Sequence, residues 1–383
     1  MKHFLWHRFV FVVLRPVAGP IVKWMMGYSC KKQKGPDKPS LIISNHNSDL
    51  DPALVALGFT RHMYFVASEH ALRNGFMSKV LQLVFSPIPI NKARTDLSAV
   101  KEMIRRVKAG ANVCLFAEGD RSFNGVTSPI PASTAKLVKS SGADLVTFRL
   151  EGGYFTTPRW ASGTHKGKMT GGIVGRYSAA ELKALTTEQV LAAIERDIFE
   201  DAYERQLGWL GHYKGKNLAE NIETTLYLCP ECKEIGTIKS AGERFFCRCG
   251  LDAAFSETGF LEGAGLPFST ITQWDKWQTE QLEETIKNAG NGPICADEGE
   301  RLFEVDTAVG KKLIGEGRTQ ISRSTFQCAG VEFDMEQIAQ FEIVGQMTLL
   351  FGLKNGATYE VQAAAPRSAL KYREIFRVLS RGE

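Results

Sequence analysis

Between Leu41 and Leu150 one pattern repeats: a short apolar run, then a longer stretch with helical spacing. The runs are Leu41–Ser44, Tyr64–Ala67, Ile88–Ile90, Val113–Ala117 and Leu145–Leu150. Between them, helices are predicted near 52–58, 75–85, 96–109 and 132–141. The runs are almost continuously apolar rather than alternating. The alternation of such runs with helical stretches predicts an α/β domain. In open α/β sheets the loops behind the strands carry the chemistry.

The first loop reads Ser-Asn-His-Asn-Ser-Asp-Leu-Asp-Pro, residues 44–52. His46 stands five residues before Asp51 where the loop turns into a helix. A carboxylate there can accept from one imidazole nitrogen and leave the other to face a substrate hydroxyl. The same residues also suit an Asx turn and a helix cap. The second loop, Leu115 to Gly125, places Glu118 and Arg121 behind another buried strand, with Gly119 permitting a tight turn. Arg121 can grip a phosphate bidentately, with neighbouring amides as further donors, or it can close a surface turn with Glu118. Ser48 and Ser122 lie close by, but nothing marks a nucleophile elbow or a third triad member, so they read as capping or hydrogen-bonding residues. His62, His70, His165 and His212 lack a comparable setting.

Asn-His-x4-Asp, followed some 70 residues later by Glu-Gly-x-Arg-Ser, resembles the glycerolipid acyltransferase family, in particular the lysophosphatidic acid acyltransferases, over roughly residues 35–200. The resemblance implies His46 as general base on the acceptor hydroxyl, Asp51 as its orienting partner and Asn45 among the substrate-binding residues. It also implies Glu118, Gly119, Asp120, Arg121 and Ser122 as part of the acceptor phosphate site. The family's Phe-Ile-Asp-Arg motif corresponds to Pro89-Ile90-Asn91-Lys92, with Arg94 two positions on, and either cation is a candidate for the phosphate. Lys92 keeps the charge without the planar fork. Asp120 stands where the family usually has Thr, and the Val-Pro-Val-like motif reads Val146-Thr147-Phe148. The implied reaction is direct acyl transfer from acyl-coenzyme A or acyl carrier protein to lysophosphatidic acid. Glycerol 3-phosphate or a non-phosphorylated lysolipid is the alternative acceptor, and a lipid-binding protein without catalysis the alternative class.

Residues 1–30 set apolar clusters among Lys2, Arg8, Arg15 and Lys23, with Pro16 and Pro20 interrupting them, and the longest clean run is Phe9 to Leu14. This predicts an amphipathic segment lying in the membrane interface rather than a span, with Lys31, Lys32, Lys34 and Lys38 following to meet anionic headgroups. The net charge of +5 agrees with an anionic partner without identifying one.

Of eight cysteines, four cluster as Cys229-x2-Cys232 and, fourteen residues later, Cys247-x-Cys249. Two close thiolate pairs match a structural zinc ribbon at 225–262, closed to catalytic water, and no basic-aromatic stripe suggests nucleic acid. The scatter of the other four favours a reducing compartment, hence the cytoplasmic face of the cell membrane. A capped helix at 268–290 with Trp274, Trp277, Leu282 and Ile286 on one side reads as a connector. Residues 294–383 then read as short strands with a hairpin at Asn355-Gly356. A last helix follows with Ala369, Tyr372, Ile375, Phe376 and Leu379 inward and Arg367, Lys371, Arg373, Arg377 and Arg381 outward. Strands closed by one terminal helix resemble a pleckstrin-homology-like domain. The predicted architecture is therefore an interfacial segment (1–30), an α/β acyltransferase domain (31–220), a zinc ribbon, the connector and a β-rich domain.

Overall fold

A computed structural model describes residues 2–30, 33, 36, 38–69, 72, 82–83, 85–90, 97–306 and 310–381. They form two compact units. The first runs up to Pro158 and takes in Gly163–Gly215; the second comprises Arg159–Ser162 and the chain from Lys216 onward.

The first unit is built on a seven-stranded sheet: β1 (Tyr28–Cys30), β2 (Ser40–Ser44), β3 (Met63–Ser68), β4 (Ile88–Ile90), β5 (Asn112–Phe116), β6 (Asp144–Glu151) and β7 (Met169–Tyr177), in the order β1-β7-β6-β2-β5-β3-β4. From β6 to β4 all neighbours are parallel, whereas β7 runs antiparallel to β6. All five residues of β2 are buried. Leu41 and Ile43 point into one core, shared with Leu145 of β6, Met103 of helix α3 (Leu97–Lys108), Val138 of α4 (Ala132–Ser141) and Ile194 of α7 (Thr187–Ile198). Ile42 points into the other, among Val146 and Phe148 of β6, Leu54 of α2 (Asp51–Gly58) and Phe11 of α1 (Lys2–Met26). Two apolar faces account for an apolar run with no alternation.

Several expectations need correcting. Pro16 and Pro20 do not interrupt α1, which continues through both for 25 residues. Each proline removes one backbone donor, and the packing of Val10, Phe11 and Met26 on the unit outweighs that loss. From Leu5 to Met26 the helix is long and apolar enough, by length and composition only, to cross a membrane. After β7 (Met169–Tyr177) the chain forms α6 (Ala179–Ala184), α7 and α8 (Ala202–Gly208), with capping boxes at Ser178 and Thr186 starting the first two. A four-residue turn of helix, α5 (Gly153–Thr156), follows β6, and β7, with its Gly-Gly and third glycine, had no strand signature. Lys31, Lys32, Lys34, His70 and most of the predicted 75–85 helix lie outside the described residues, while Lys38 is exposed.

In the second unit, β8 (Ile238–Ala241), β9 (Arg244–Cys247), β10 (Asp252–Phe255) and β11 (Leu261–Glu262) form an antiparallel sheet of four strands. Helix α9 (Ile271–Asn288) is capped by the Thr270 hydroxyl and buries Trp274, whose indole N–H donates to Leu228 O at 2.9 Å. Seven antiparallel strands follow, β12 (Cys295–Asp306), β13 (Gly310–Ile321), β14 (Thr325–Cys328), β15 (Val331–Asp334), β16 (Ile338–Val344), β17 (Thr348–Leu353) and β18 (Thr358–Gln362), in the order β15-β14-β13-β12-β18-β17-β16. Gly356, at a φ of 94°, closes the β17–β18 hairpin. Helix α10 (Leu370–Arg381) puts Tyr372 and Ile375 into the aromatic core of this sheet. Arg367, Lys371 and Arg373 are not outward but buried. Arg367 pairs with Glu300, and Lys371 Nζ donates to Asp297 Oδ1 at 2.7 Å. The acids lie on β12, some seventy residues upstream, where no local pattern reveals them; Arg377 stays exposed.

Candidate active site and metal centre

Parallel pairing sets Ser44 beside Phe116, so β2 and β5 end side by side and their following loops meet. His46 Nδ1 lies 2.8 Å from Asp51 Oδ2. The same oxygen accepts from the Asn47 and Ser48 amides at 2.6 and 2.8 Å, and Oδ1 accepts from the Ser48 hydroxyl at 2.5 Å. Asp51 is fully buried at the start of α2. The expected Asx turn and side-chain cap are not what forms: Asp51 is the first residue of α2, Leu50 caps it without a side-chain bond, and the carboxylate instead reaches back to hold the loop's own amides together with the imidazole. With Asp51 accepting at Nδ1, the proton sits there and Nε2 carries the lone pair. The ring stacks on Phe116, centroids 4.4 Å apart, which leaves its edge partly open to solvent.

The second loop is bound to the first. The His46 amide donates to Glu118 Oε1 at 2.7 Å, the Ser128 amide to Oε2 at 2.7 Å, and the Ser122 amide to His46 O at 3.0 Å. Burial pushes the Glu118 carboxyl up to about 8, against the downward pull of those two amides. Gly119 takes a φ of 75° at the turn. Arg121, mostly covered, has its Nε 3.5 Å from Oδ1 of the exposed Asp49. The Ser122 hydroxyl donates to Val126 O at 2.8 Å and accepts from the Gly125 amide at 2.9 Å, so it is committed to shaping the loop. Asn45 is likewise committed: its amide donates to Leu150 O at 2.7 Å and its carbonyl accepts from Leu150 N at 2.8 Å, tying the end of β2 to β6.

One residue escaped the sequence reading. Glu200 is buried between α7 and α8, 154 positions after His46. Its Oε1 accepts from Arg205 Nε and Nη2 at 3.0 and 2.7 Å and from the Gly152 amide at 2.9 Å. Oε2 accepts from Asn47 Nδ2 at 3.0 Å and Asn45 Nδ2 at 3.4 Å. Burial raises this carboxyl's pKa and the Arg205 charge opposes the rise. The two amides that Glu200 holds flank His46. Two asparagines bracketing a histidine signal a buried acceptor, but not its position in the chain. Gly153 completes the packing: a Cβ there would lie 2.7 Å from Asn47 Cβ.

Lys92 and Arg94 lie outside the described residues. Of the other histidines, His62 sits under α1 between His7 and Tyr64, His165 is buried, and His212 is exposed.

In the second unit, the sulfurs of Cys229, Cys232, Cys247 and Cys249 all lie within 4.8 Å of one another, with Cys229–Cys249 at 3.6 Å and Cys232–Cys247 at 3.7 Å. A tetrahedron with zinc–sulfur bonds of about 2.3 Å has edges of roughly 3.8 Å, so the donor set fits such an ion. Lys233 at a φ of 57° and Gly250 at 107° make the tight returns after the two pairs.

Residues 28–151 match the family model described as Acyltransferase. Among solved structures, the chain is similar to the 1-acyl-sn-glycerophosphate (LPA) acyltransferase PlsC from Thermotoga maritima, at 19% identity and a TM-score of 0.40, over 49% of this chain and 78% of that one. No curated protein matches the chain. The segment that carries both strand-end motifs, residues 28–151, is thus an acyltransferase domain by its family match.

Proposed function

We propose that this chain moves an acyl group from a thioester donor, acyl-coenzyme A or acyl carrier protein, to the hydroxyl of lysophosphatidic acid, giving phosphatidic acid. The observation that carries the reading is the His46–Asp51 pair at the strand end, bonded through its backbone to the loop of Glu118 and Arg121. His46 Nε2 takes the proton from the acceptor hydroxyl as its oxygen attacks the thioester carbonyl carbon. Asp51 keeps the ring in the reactive tautomer and stabilises the imidazolium. Collapse of the tetrahedral intermediate breaks the carbon–sulfur bond, and the leaving thiolate takes back the proton. Arg121 supplies the cation for the acceptor phosphate, with Lys92 or Arg94 as a second. Gly119 gives that loop its turn, and Asn45 and Ser122 hold the two loops in place.

A second reading keeps the transfer and changes the acceptor to glycerol 3-phosphate or a non-phosphorylated lysolipid. It is favoured by Asp49 at 3.5 Å from Arg121, with Asp120 next in the chain, since both carboxylates compete with a phosphate for that guanidinium.

Helix α1 supports an interfacial, monotopic attachment, placed on the cytoplasmic face. It lies along the unit from His7, 3.1 Å from Tyr64 OH, through Arg15, which donates to Leu57 O at 2.9 Å, to the buried Met26. Its outer side exposes Leu5, Phe9, Val13, Val17 and Ile21. A helix docked along its whole length presents a side, rather than its two ends, to a bilayer. The four cysteines would hold a structural zinc that stabilises the surrounding strands and leaves no coordination position for chemistry. The order of the seven strands and the single closing helix support a pleckstrin-homology-like fold for the rest.

The test is thiol release from acyl-coenzyme A and acyl carrier protein thioesters, with and without each acceptor, for wild type and His46→Ala. Acceptor-dependent release that falls roughly 10²- to 10⁴-fold in the variant is expected. No release with any donor and acceptor would leave a lipid-binding protein without catalysis.

A further inference from the structure

Lys166 and Lys168 lie outside the two strand-end motifs, yet their surroundings are ordered. Along 165–169 the chain alternates: His165 and Met169 are buried, and Gly167 faces inward, where a Cβ would lie 2.1 Å from Tyr213 Cδ1. Lys166 and Lys168 therefore stand together on the outer side. Lys166 Nζ sits 4.2 Å from the centre of the Trp24 ring, and Lys168 Nζ 4.5 Å from that of Trp209. Lys214 exchanges both backbone hydrogen bonds with Lys166, at 2.7 and 3.0 Å, an antiparallel pairing that puts the two side chains on one side. Three ammonium groups and two indoles thus form one strip. Trp24 and Trp209 are 72% and 42% exposed, and Leu207 and Leu210, at 76% and 61%, extend the apolar part past Trp209.

We propose that this strip is a second bilayer contact, beyond α1, which binds the headgroups of anionic phospholipid. The inference rests on the interfacial placing of α1. Two features select a membrane as the occupant. Trp24 belongs to the exposed side of α1, so the strip continues that apolar surface around the unit. The strip also combines indoles with cations, as the boundary between headgroups and hydrocarbon requires: the rings enter the boundary while the ammonium groups meet phosphate.

The full chain is floated with vesicles of phosphatidylcholine alone or mixed with phosphatidylglycerol. The variant Lys166→Gln/Lys168→Gln/Lys214→Gln is expected to bind mixed vesicles on the order of 100-fold more weakly and phosphatidylcholine unchanged. Independently, the protein is bound to vesicles of brominated lipid. Trp24→Phe and Trp209→Phe, conservative changes at exposed rings, should each remove part of the quenched fluorescence. If only Trp24→Phe does so and the triple variant keeps its preference for phosphatidylglycerol, α1 binds without the strip and this proposal is overturned. If wild type floats with neither vesicle, the interfacial reading of α1 fails as well.

Discussion

Glu200 offers the sharpest separation between holding the fold and holding the catalytic geometry. Glu200→Gln keeps the shape and removes the charge, leaving Arg205, whose side chain is 24% exposed, beside Tyr213 without its carboxylate partner. Breaking a fully buried ion pair by removing one partner costs about 3–5 kcal/mol, and the partial exposure of Arg205 places this case at about 3 kcal/mol. For a unit of this size that is a loss of roughly 6–12 °C in melting temperature. The new amide also turns an N–H₂ toward Asn47 Nδ2 or the Gly152 amide, donor against donor, so either the anchor of Asn47 beside His46 or that of Gly152 before α5 is lost. A displacement of about 1 Å in such a site costs on the order of 10²-fold in kcat. Adding Arg205→Met removes that cation and should recover most of the stability. It does not restore the missing acceptor, so kcat should remain low with KM little changed. Thermal melting and steady-state kinetics on wild type, Glu200→Gln and the double variant decide the matter. If kcat returns together with melting temperature in the double variant, Glu200 supports only the fold and the reasoning is wrong.

Glu118 makes a prediction in pH. Its folded pKa of about 8 lies above the ordinary carboxyl value of 4.5, so its contribution to stability is complete below about pH 4.5 and is lost as pH rises through 8. Glu118→Gln, neutral at every pH but able to accept from only one of the two amides, should lower the melting temperature throughout and flatten its fall between pH 5 and 9; parallel curves for variant and wild type would refute this. For the cysteine cluster, metal analysis should find one zinc per chain. A strong chelator should lower the melting temperature of the second unit, as should Cys229→Ser. A metal-free chain with the same melting curve would refute the site.

Periodicity made the first unit readable: β2, β5 and β6 are buried on both faces, and the helices around them carry one-sided apolar spacing that survives in the structure. The two motifs were visible because each packs several polar residues directly behind an apolar run. What stayed hidden depends on distant partners. Lys371 and Arg367 look like surface cations until Asp297 and Glu300 are brought to them. Glu200 is one acid among many at the end of a helix, and its importance comes from Asn45 and Asn47. Pro16 and Pro20 read locally as breaks, but a long packed face carries the helix through them.

The pairing of Ser44 with Phe116 also has a consequence for how this domain can vary. The spacing of His46 and Glu118 is set by hydrogen bonds across the sheet, with no part played by the length of chain between them. The connections around β3 and β4 in the excursion from α2 to α3 can therefore lengthen or shorten, within the modest entropy of a longer loop, while His46 and Glu118 keep their separation. Diversification by insertion, splitting the chain there into two complementing fragments, or grafting a foreign segment between the two strands all become routes to new surroundings for an unchanged His46–Asp51 pair.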